Sequence, residues 1–163
     1  AQMGYSATSR LLEASRVPAP PEVAAKIQCP VGTETYLIKR LRFAEDKPFS
    51  LHISYIPAAY CGGIEEKDLV GKQLCVILNE EYGLLRRTVV ETLEAHPADK
   101  EEAKILGVKT GTPLLVLEDV INDADGRVFE YTTVYFRGDK VKFKFRFESN
   151  LGEGLSPQVS APA

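Results

Sequence analysis

Alternation of apolar and polar residues is the clearest pattern along the chain, and it predicts β-strands. Residues 36–43 alternate in this way, which indicates a strand of about residues 33–43. Residues 141–147 place Lys or Arg between apolar residues, so we predict a strand there with Phe143, Phe145 and Phe147 turned inward. Further apolar runs with turn residues at their ends predict strands over residues 48–56, 85–95, 114–122 and 128–137.

Helical spacing is strongest in residues 71–82. Leu74, Ile77 and Leu78 form an i, i+3, i+4 stripe, and Gly83 follows as a C-terminal cap. Shorter helices are predicted over residues 8–16, 21–27 and 99–106. Because the strands follow one another mostly as hairpins, we predict an α+β fold with a mostly antiparallel, six-stranded sheet flanked by helices.

Composition and charge narrow the class of protein. The chain has 163 residues, of which 44% are hydrophobic and 26% charged, as is usual for one soluble globular domain. Its net charge of −3 argues against a nucleic-acid-binding surface on this segment. No apolar run approaches the ~20 residues needed to span a bilayer. We therefore predict a cytoplasmic protein without membrane contact.

The sequence lacks the common catalytic and nucleotide-binding motifs, such as G-x-S-x-G, the Walker loop, G-x-G-x-x-G and H-E-x-x-H. Its three cysteines, Cys29, Cys61 and Cys75, have no metal-ligand spacing. We predict reduced thiols, no metal, no cofactor and no enzymatic activity.

Arg40 and Arg42 are the most informative polar pair. They point to the same face of the first long strand, roughly 6–7 Å apart, where like charges repel each other. An anion between them or nearby carboxylates would relieve the repulsion, and arginine suits bidentate contact with carboxylate or phosphate. The spacing alone favours a solvated strand face over an anion site.

Two further polar residues fall on the same predicted surface. If residues 44–47 form a hairpin, His52 shares a face with Arg40 and Arg42. Glu130 shares a strand face with Thr132 and with the apolar residues Val128, Val134 and Phe136, so its carboxylate needs a partner. That partner is either one of the two arginines, in a structural ion pair, or a hydroxyl or amide group of a ligand; both remain open.

The order of short motifs resembles that of the UTRA domain. The matching segments are Arg40-Leu-Arg42, Asp46-Lys-Pro48, Ser54-Tyr-Ile-Pro57, Gly111-Thr-Pro113, Asp125-Gly126, Glu130-Tyr131 and Arg137-Gly-Asp139. The series covers about residues 5–148.

The resemblance implies the effector-binding half of a bacterial GntR-family, HutC-subfamily transcription regulator with a chorismate lyase-like fold. It implies a small anionic metabolite as ligand (a sugar phosphate, an organic acid or an amino-acid derivative) and a homodimer. DNA would be bound only through an N-terminal winged helix-turn-helix domain that is absent from this sequence. Residues 1–20 would form the linker-proximal helix and linker, residues 21–148 the UTRA domain, and residues 149–163 a disordered tail.

The resemblance also implies a set of ligand-contacting residues. Arg40 and Arg42 match the anion-binding arginines, and Glu130 matches the acidic residue of a late strand. Phe136 falls where the family often has Tyr, so a hydroxyl contact would be lost. His52 falls where the family usually has Glu, which leaves the class of ligand open.

Two helix starts complete the implied site. Ser6, Ala7 and Thr8 fall where the linker-proximal helix begins, and a helix N-terminus can help to hold an anion. Gln73 lies at the start of the central helix, where many relatives carry Ser. The alternatives to a regulator are an enzyme of the chorismate lyase type acting on an aromatic carboxylate, and a dimerisation domain without a ligand.

Overall fold

One antiparallel sheet with strand order β1-β2-β3-β6-β5-β4 forms the centre of the protein, in a computed structural model that describes residues 7–146 and 148. The strands are β1 (Ala7–Pro18), β2 (Glu34–Ala44), β3 (Lys47–Pro57), β4 (Thr88–Pro97), β5 (Pro113–Asn122) and β6 (Val128–Arg137). The α-helices are α1 (Pro21–Ile27), α2 (Leu74–Tyr82) and α3 (Lys100–Leu106), and short 3-10 helices span Ala58–Tyr60 and Ile64–Glu66. This architecture confirms the predicted α+β class.

The helices cover the two faces of the sheet differently. On one face, which we call the α2 face, Ile77 and Leu78 pack against Ile38 of β2. On the opposite face, which we call the α1/α3 face, Leu106 of α3 packs against Leu41 of β2. Ile38 and Leu41 are three residues apart, so the alternation of a strand directs them to opposite faces. The α2 face is the one that carries the predicted ligand-binding residues.

A tight hairpin joins β2 to β3 and fixes which residues face each other. Its two turn residues, Glu45 and Asp46, both have positive φ angles, 51° and 64°. Two consecutive residues in this conformation match the twist of the flanking strands, as in a type I′ turn. The predicted hairpin over residues 44–47 is therefore confirmed. Its register places Arg40 opposite His52 and Arg42 opposite Ser50.

The predicted helix over residues 8–16 is wrong, because these residues belong to β1. This strand pairs with β2 from Ala7, opposite Ala44, to Pro18, opposite Glu34. Leu11 and Leu12 are adjacent and do not form a helical stripe; Leu11 packs towards the α2 core while Leu12 is 37% exposed. Pairing along the whole length of β2 outweighs a weak local helix propensity.

The predicted strand over residues 141–147 is also wrong. Residues 141–146 have no regular structure, and Phe145 is 60% exposed. Phe147 and the predicted disordered tail over residues 149–163 lie outside the described residues. β6 already pairs with β3 on one edge and β5 on the other, so a strand following it by a hairpin has no free edge to pair with.

The three cysteines are free thiols, as predicted. Burial, with help from Glu65, raises the pKa of the Cys61 thiol to about 12, so it stays protonated inside the core. Within the described part of the chain, none of the helices has the length and apolar character needed to cross a membrane.

Candidate functional site

The two arginines lie side by side on the α2 face, as predicted, and are partly buried there. Among the described residues, no carboxylate oxygen lies within 4.0 Å of either guanidinium, and the buried Nε of Arg40 has no hydrogen-bond partner. Burial lowers the pKa of Arg40 from its usual value; the charge of Glu130 opposes this shift and Arg42 adds to it. The pair is therefore a partly desolvated positive site rather than a solvated strand face.

His52 lies opposite Arg40 on β3 and carries no charge at neutral pH. Burial, followed by the charges of Arg40 and Arg42, lowers the pKa of its imidazole to about 3. Its Nε2 lies 2.9 Å from Ser50 Oγ, within hydrogen-bonding distance. The ring of Phe136 packs edge-on against it, with the ring centroids 6.4 Å apart. Phe136 therefore lies next to His52 on this face.

Glu130 is a buried carboxylate at the other end of this surface, and only 2% of the residue is exposed. Thr132 donates a hydrogen bond of 2.6 Å to its Oε2, and Thr132 Oγ1 lies 3.0 Å from Ser54 Oγ. Its Oε1 has no hydrogen-bond partner; the nearest cation is Arg86, 3.8 Å away. The ion pair considered from the sequence, with Arg40 or Arg42, is replaced by this longer contact to Arg86.

A β-bulge next to Glu130 changes the faces of the two residues that precede it. The register of β5 and β6 shifts between the pair Ile121–Glu130 and the pair Asn122–Val128, which leaves Phe129 as the extra residue. Phe129 packs in the α2 core, whereas Val128 packs beside α1 on the opposite face. The prediction that Val128 shares a face with Glu130 is wrong for this reason.

The start of α2 approaches the arginines. Gln73 is the N-cap residue, is exposed, and makes no side-chain cap to the helix. Its Oε1 accepts a long hydrogen bond of 3.7 Å from the Cys75 thiol, and Cys75 in turn lies close enough to Arg40 to influence the pKa of the guanidinium. The first turn of α2 therefore lies close to Arg40.

The N-terminal segment approaches the arginines as a strand. Ser6 lies outside the described residues, and Ala7 and Thr8 lie in β1, so no helix N-terminus is available here to hold an anion. The β1 residues opposite Arg42 and Arg40 are Ser9 and Leu11. This pairing replaces the predicted role of Ala7 and Thr8 as the start of a helix.

Other polar residues of this surface were not predicted as ligand contacts. Alternation predicts Ser50 and Ser54 on the face of His52, and Thr132 on the face of Glu130, and the strand register agrees with these positions. Arg86 and Asp119 offered no such signal. Arg86 precedes β4, and Asp119 joins the surface only through the register of β5 on β6.

Two cavities flank the sheet. One of about 270 Å³ runs along α2 on the α2 face and is lined by Cys75 and Arg86, the neighbours of Arg40 and Glu130. The other, of about 640 Å³, lies on the α1/α3 face, and Tyr131 and Tyr135 are among its lining residues. Within the described part of the chain, none of the residues predicted to contact a ligand lines either of these two cavities.

Comparison with known proteins identifies the family. The family model described as the UTRA domain matches residues 2–142. The chain belongs to the UTRA family. The UTRA chain is 29% identical over 141 residues to the HTH-type transcriptional repressor NagR of Bacillus subtilis, a match that covers 86% of this chain and 57% of NagR. It is 27% identical over 127 residues to the HTH-type transcriptional regulator GgaR of Escherichia coli, with 78% and 50% covered. The UTRA chain thus spans about half the length of the curated relatives it matches.

Solved structures have the same fold as the UTRA chain. A GntR-family transcriptional regulator from Bacillus cereus superposes with a TM-score of 0.80 at 25% identity, covering 87% of this chain and 99% of that one. The effector domain of PhnF from Mycobacterium smegmatis superposes with a TM-score of 0.82 at 24% identity, covering 90% of both chains. The predicted chorismate lyase-like fold is confirmed.

Proposed function

We propose that this UTRA chain is the effector-binding domain of a bacterial GntR-family, HutC-subfamily transcription regulator and that its ligand is a small anionic metabolite. The observation that carries the proposal is the pair Arg40 and Arg42, partly buried on one face with no carboxylate within 4.0 Å among the described residues. An anion between them relieves their repulsion and offers the unpartnered Nε of Arg40 an acceptor. Sugar phosphates, organic acids and amino-acid derivatives all carry such a group.

The remaining residues of the site contact the rest of the ligand. His52 offers a neutral imidazole beside the arginines, and Phe136 offers an aromatic edge next to it. Glu130 accepts hydrogen bonds through its free Oε1. The first turn of α2, after Gln73, adds the positive end of a helix dipole close to Arg40.

The signal passes through β1 in this proposal. Ser9 and Leu11 lie opposite Arg42 and Arg40, and the register of β1 on β2 shifts between Leu11 and Glu13, directly beside the arginines. A ligand that favours one arrangement of this bulge changes the position of the chain before β1. In a longer protein that chain leads to the DNA-binding winged helix-turn-helix domain, so differential affinity of the effector for two arrangements shifts DNA binding.

The regulator acts as a homodimer in the cytoplasm in this proposal. β4 is an edge strand with exposed Val89, Val90 and Leu93, and an exposed apolar edge is a natural place for pairing between subunits.

The test is a thermal-shift panel of sugar phosphates, organic acids and amino-acid derivatives against the wild type, the double variant Arg40→Ala/Arg42→Ala and the control Lys39→Ala. Lys39 lies on the same strand but points to the opposite face. We expect at least one anion to raise the Tm of the wild type and of Lys39→Ala, and the double variant to lose that shift. A shift that survives in the double variant contradicts the site. No shift with any compound supports the ligand-free dimerisation domain, and turnover of added chorismate supports the enzyme.

A further inference from the structure

We infer that Asp119 and Glu130 form a second, acidic pole of the effector site, which takes a protonated nitrogen of the same ligand whose anionic group lies on Arg40 and Arg42. This inference rests on the proposed function and specifies the ligand class further. The effector is bipolar, with an anionic group at one end and an amine at the other.

The first observation is the unsatisfied buried carboxylate of Glu130. The residue is 2% exposed, and its Oε1 has no hydrogen-bond partner among the described residues. Arg86, at 3.8 Å, is beyond hydrogen-bonding distance, and its own side chain is 43% exposed. A buried carboxylate oxygen without a donor is costly, so a ligand donor at this position stabilises the complex.

The second observation is Asp119, which the strand register brings to the same surface. It lies opposite Thr132 on β6, the residue that donates to Glu130, and opposite Glu91 on β4. Its Oδ1 is also buried without a hydrogen-bond partner among the described residues. Two acceptor oxygens, one each from Asp119 and Glu130, therefore await donors on one face.

The charges around these two oxygens favour a cation over a neutral donor. Asp119, Glu130 and Glu91 supply three carboxylates to this corner of the sheet, and Arg86 is the basic residue that acts on both Asp119 and Glu130. Burial, followed by a hydrogen bond to Glu91 and the charge of Glu91, raises the pKa of Asp119 to about 7, and the charge of Glu130 adds to this shift. An ammonium group relieves this crowding of carboxylates and supplies up to three donors.

The two poles form no direct ion pair: the charge of Glu130 acts on Arg40, but no carboxylate oxygen of the described residues lies within 4.0 Å of either arginine. Asp119, on β5, lies still farther away. β2 and β5 are separated by three strand spacings, roughly 14 Å between backbones. Uncharged side chains lie between the two poles. They include Ser54 and Thr132, which lie opposite each other on β3 and β6. The cavity of about 270 Å³ is lined by Cys75, which acts on Arg40, and by Arg86, which acts on Asp119 and Glu130. A small bipolar ligand fits this separation of charge, whereas a simple anion leaves the acidic pole unsatisfied.

The test compares three phosphate monoesters of equal chain length by isothermal titration calorimetry: aminopentyl, hydroxypentyl and pentyl phosphate. We expect aminopentyl phosphate to bind wild type about tenfold or more tighter than pentyl phosphate, since a hydrogen bond to a charged group is worth that much. Asp119→Asn should reduce the ratio to about twofold or less. The control Glu118→Gln changes the neighbouring carboxylate of β5, which points to the α1/α3 face, and should leave the ratio unchanged.

Every other result of this titration contradicts a specific part of the inference. Equal binding of aminopentyl and pentyl phosphate in wild type, or a preference that survives Asp119→Asn, overturns the acidic pole but leaves the anion site intact. Hydroxypentyl phosphate binding as tightly as aminopentyl phosphate overturns the requirement for positive charge. Binding of none of the three contradicts the proposed anion site itself, and the inference falls with it.

Discussion

Arg40 and His52 lie directly opposite each other across the β2–β3 hairpin, and the charge of the arginine helps to keep the imidazole neutral. The site therefore presents two guanidiniums beside an uncharged nitrogen heterocycle. A neutral imidazole can donate one hydrogen bond and accept another, so it can contact a ligand without adding a third positive charge.

The first prediction concerns the stability of the protein at acid pH, which follows from the position of His52 opposite Arg40. The pKa of His52 is about 3 in the folded protein and about 6.5 in the unfolded chain. The unfolded chain thus binds an extra proton between these values, and the free energy of unfolding falls as the pH drops from about 6.5 towards 3. We expect His52→Gln to be more stable than wild type at pH ~4 and closer to it at pH ~7.5. Urea denaturation at several pH values measures this; a constant difference across the range contradicts it.

The second prediction is that the arginine pair lowers the stability of the protein without ligand. Arg40 is partly buried beside Arg42 and has no carboxylate within 4.0 Å among the described residues. We expect Arg40→Met to raise the free energy of unfolding by about 1–2 kcal/mol in a buffer free of phosphate and sulfate, because it removes an uncompensated charge. Adding an anion that stabilises the wild type should not stabilise the variant.

Lys39→Met is the control for this substitution. Lys39 lies on the same strand, points to the other face and has Glu13 at 3.8 Å, so its removal should change stability little. A loss of stability in Arg40→Met, with Lys39→Met unchanged, would mean that Arg40 is a structural residue.

The sheet was largely predictable from the sequence, but the predictions for residues 8–16 and 141–147, near the two ends of the chain, were wrong. Alternation and the Glu45–Asp46 turn predicted β2 and β3 because these strands pair with each other across a short hairpin. β1 was missed because its partner lies far along the chain, and residues 141–147 alternate without any free edge to join. Six strands were predicted and six are present in the sheet, but β1 takes the place of the strand predicted over residues 141–147. The local pattern of apolar and polar residues indicates which secondary structure a segment favours. Whether a strand finds a free edge to pair with depends on the topology of the whole sheet.

The candidate site was also predictable only in part. The parity of β2 and β3 placed His52 on the face of Arg40 and Arg42, since a single hairpin relates them. The contact of Glu130 with Arg86 was not predictable, because it depends on the irregular segment before β4. Asp119 reaches the site through the register of β5, which no local pattern specifies.

The third prediction concerns the hydroxyl that supports Glu130. Thr132 is buried and donates to Glu130 Oε2 at 2.6 Å. Thr132→Val keeps the shape and removes the donor, which leaves a second oxygen of a buried carboxylate unsatisfied. We expect a loss of about 1–3 kcal/mol in the free energy of unfolding. Thr92→Val, at an exposed position of β4, is the matched control and should change stability by less than about 0.5 kcal/mol. Equal effects of the two substitutions would mean that the carboxylate does not depend on this hydroxyl.

The last prediction is a pH dependence of opposite sign to that of His52. Asp119 faces Glu91 on β4, Glu130 on β6 and Arg86, and burial with the nearby carboxylates raises its pKa to about 7 from 3.8. Between these values the folded protein binds the extra proton, so the free energy of unfolding falls as the pH rises from about 4 to about 7. Asp119→Asn removes this loss. We therefore expect it to be more stable than wild type at pH ~7.5 and close to wild type at pH ~4, the reverse of His52→Gln.

The two substitutions also serve as controls for each other. Both remove a titrating group from the same face of the sheet, and neither changes the size of the side chain greatly, so a general effect of substitution shifts both profiles alike. Urea denaturation of wild type, His52→Gln and Asp119→Asn across the same pH series should give differences from wild type that grow in opposite directions. If the Asp119→Asn difference instead grows towards acid pH, this carboxylate is paired and ionised in the folded protein, and it cannot then supply an unsatisfied acceptor to a ligand.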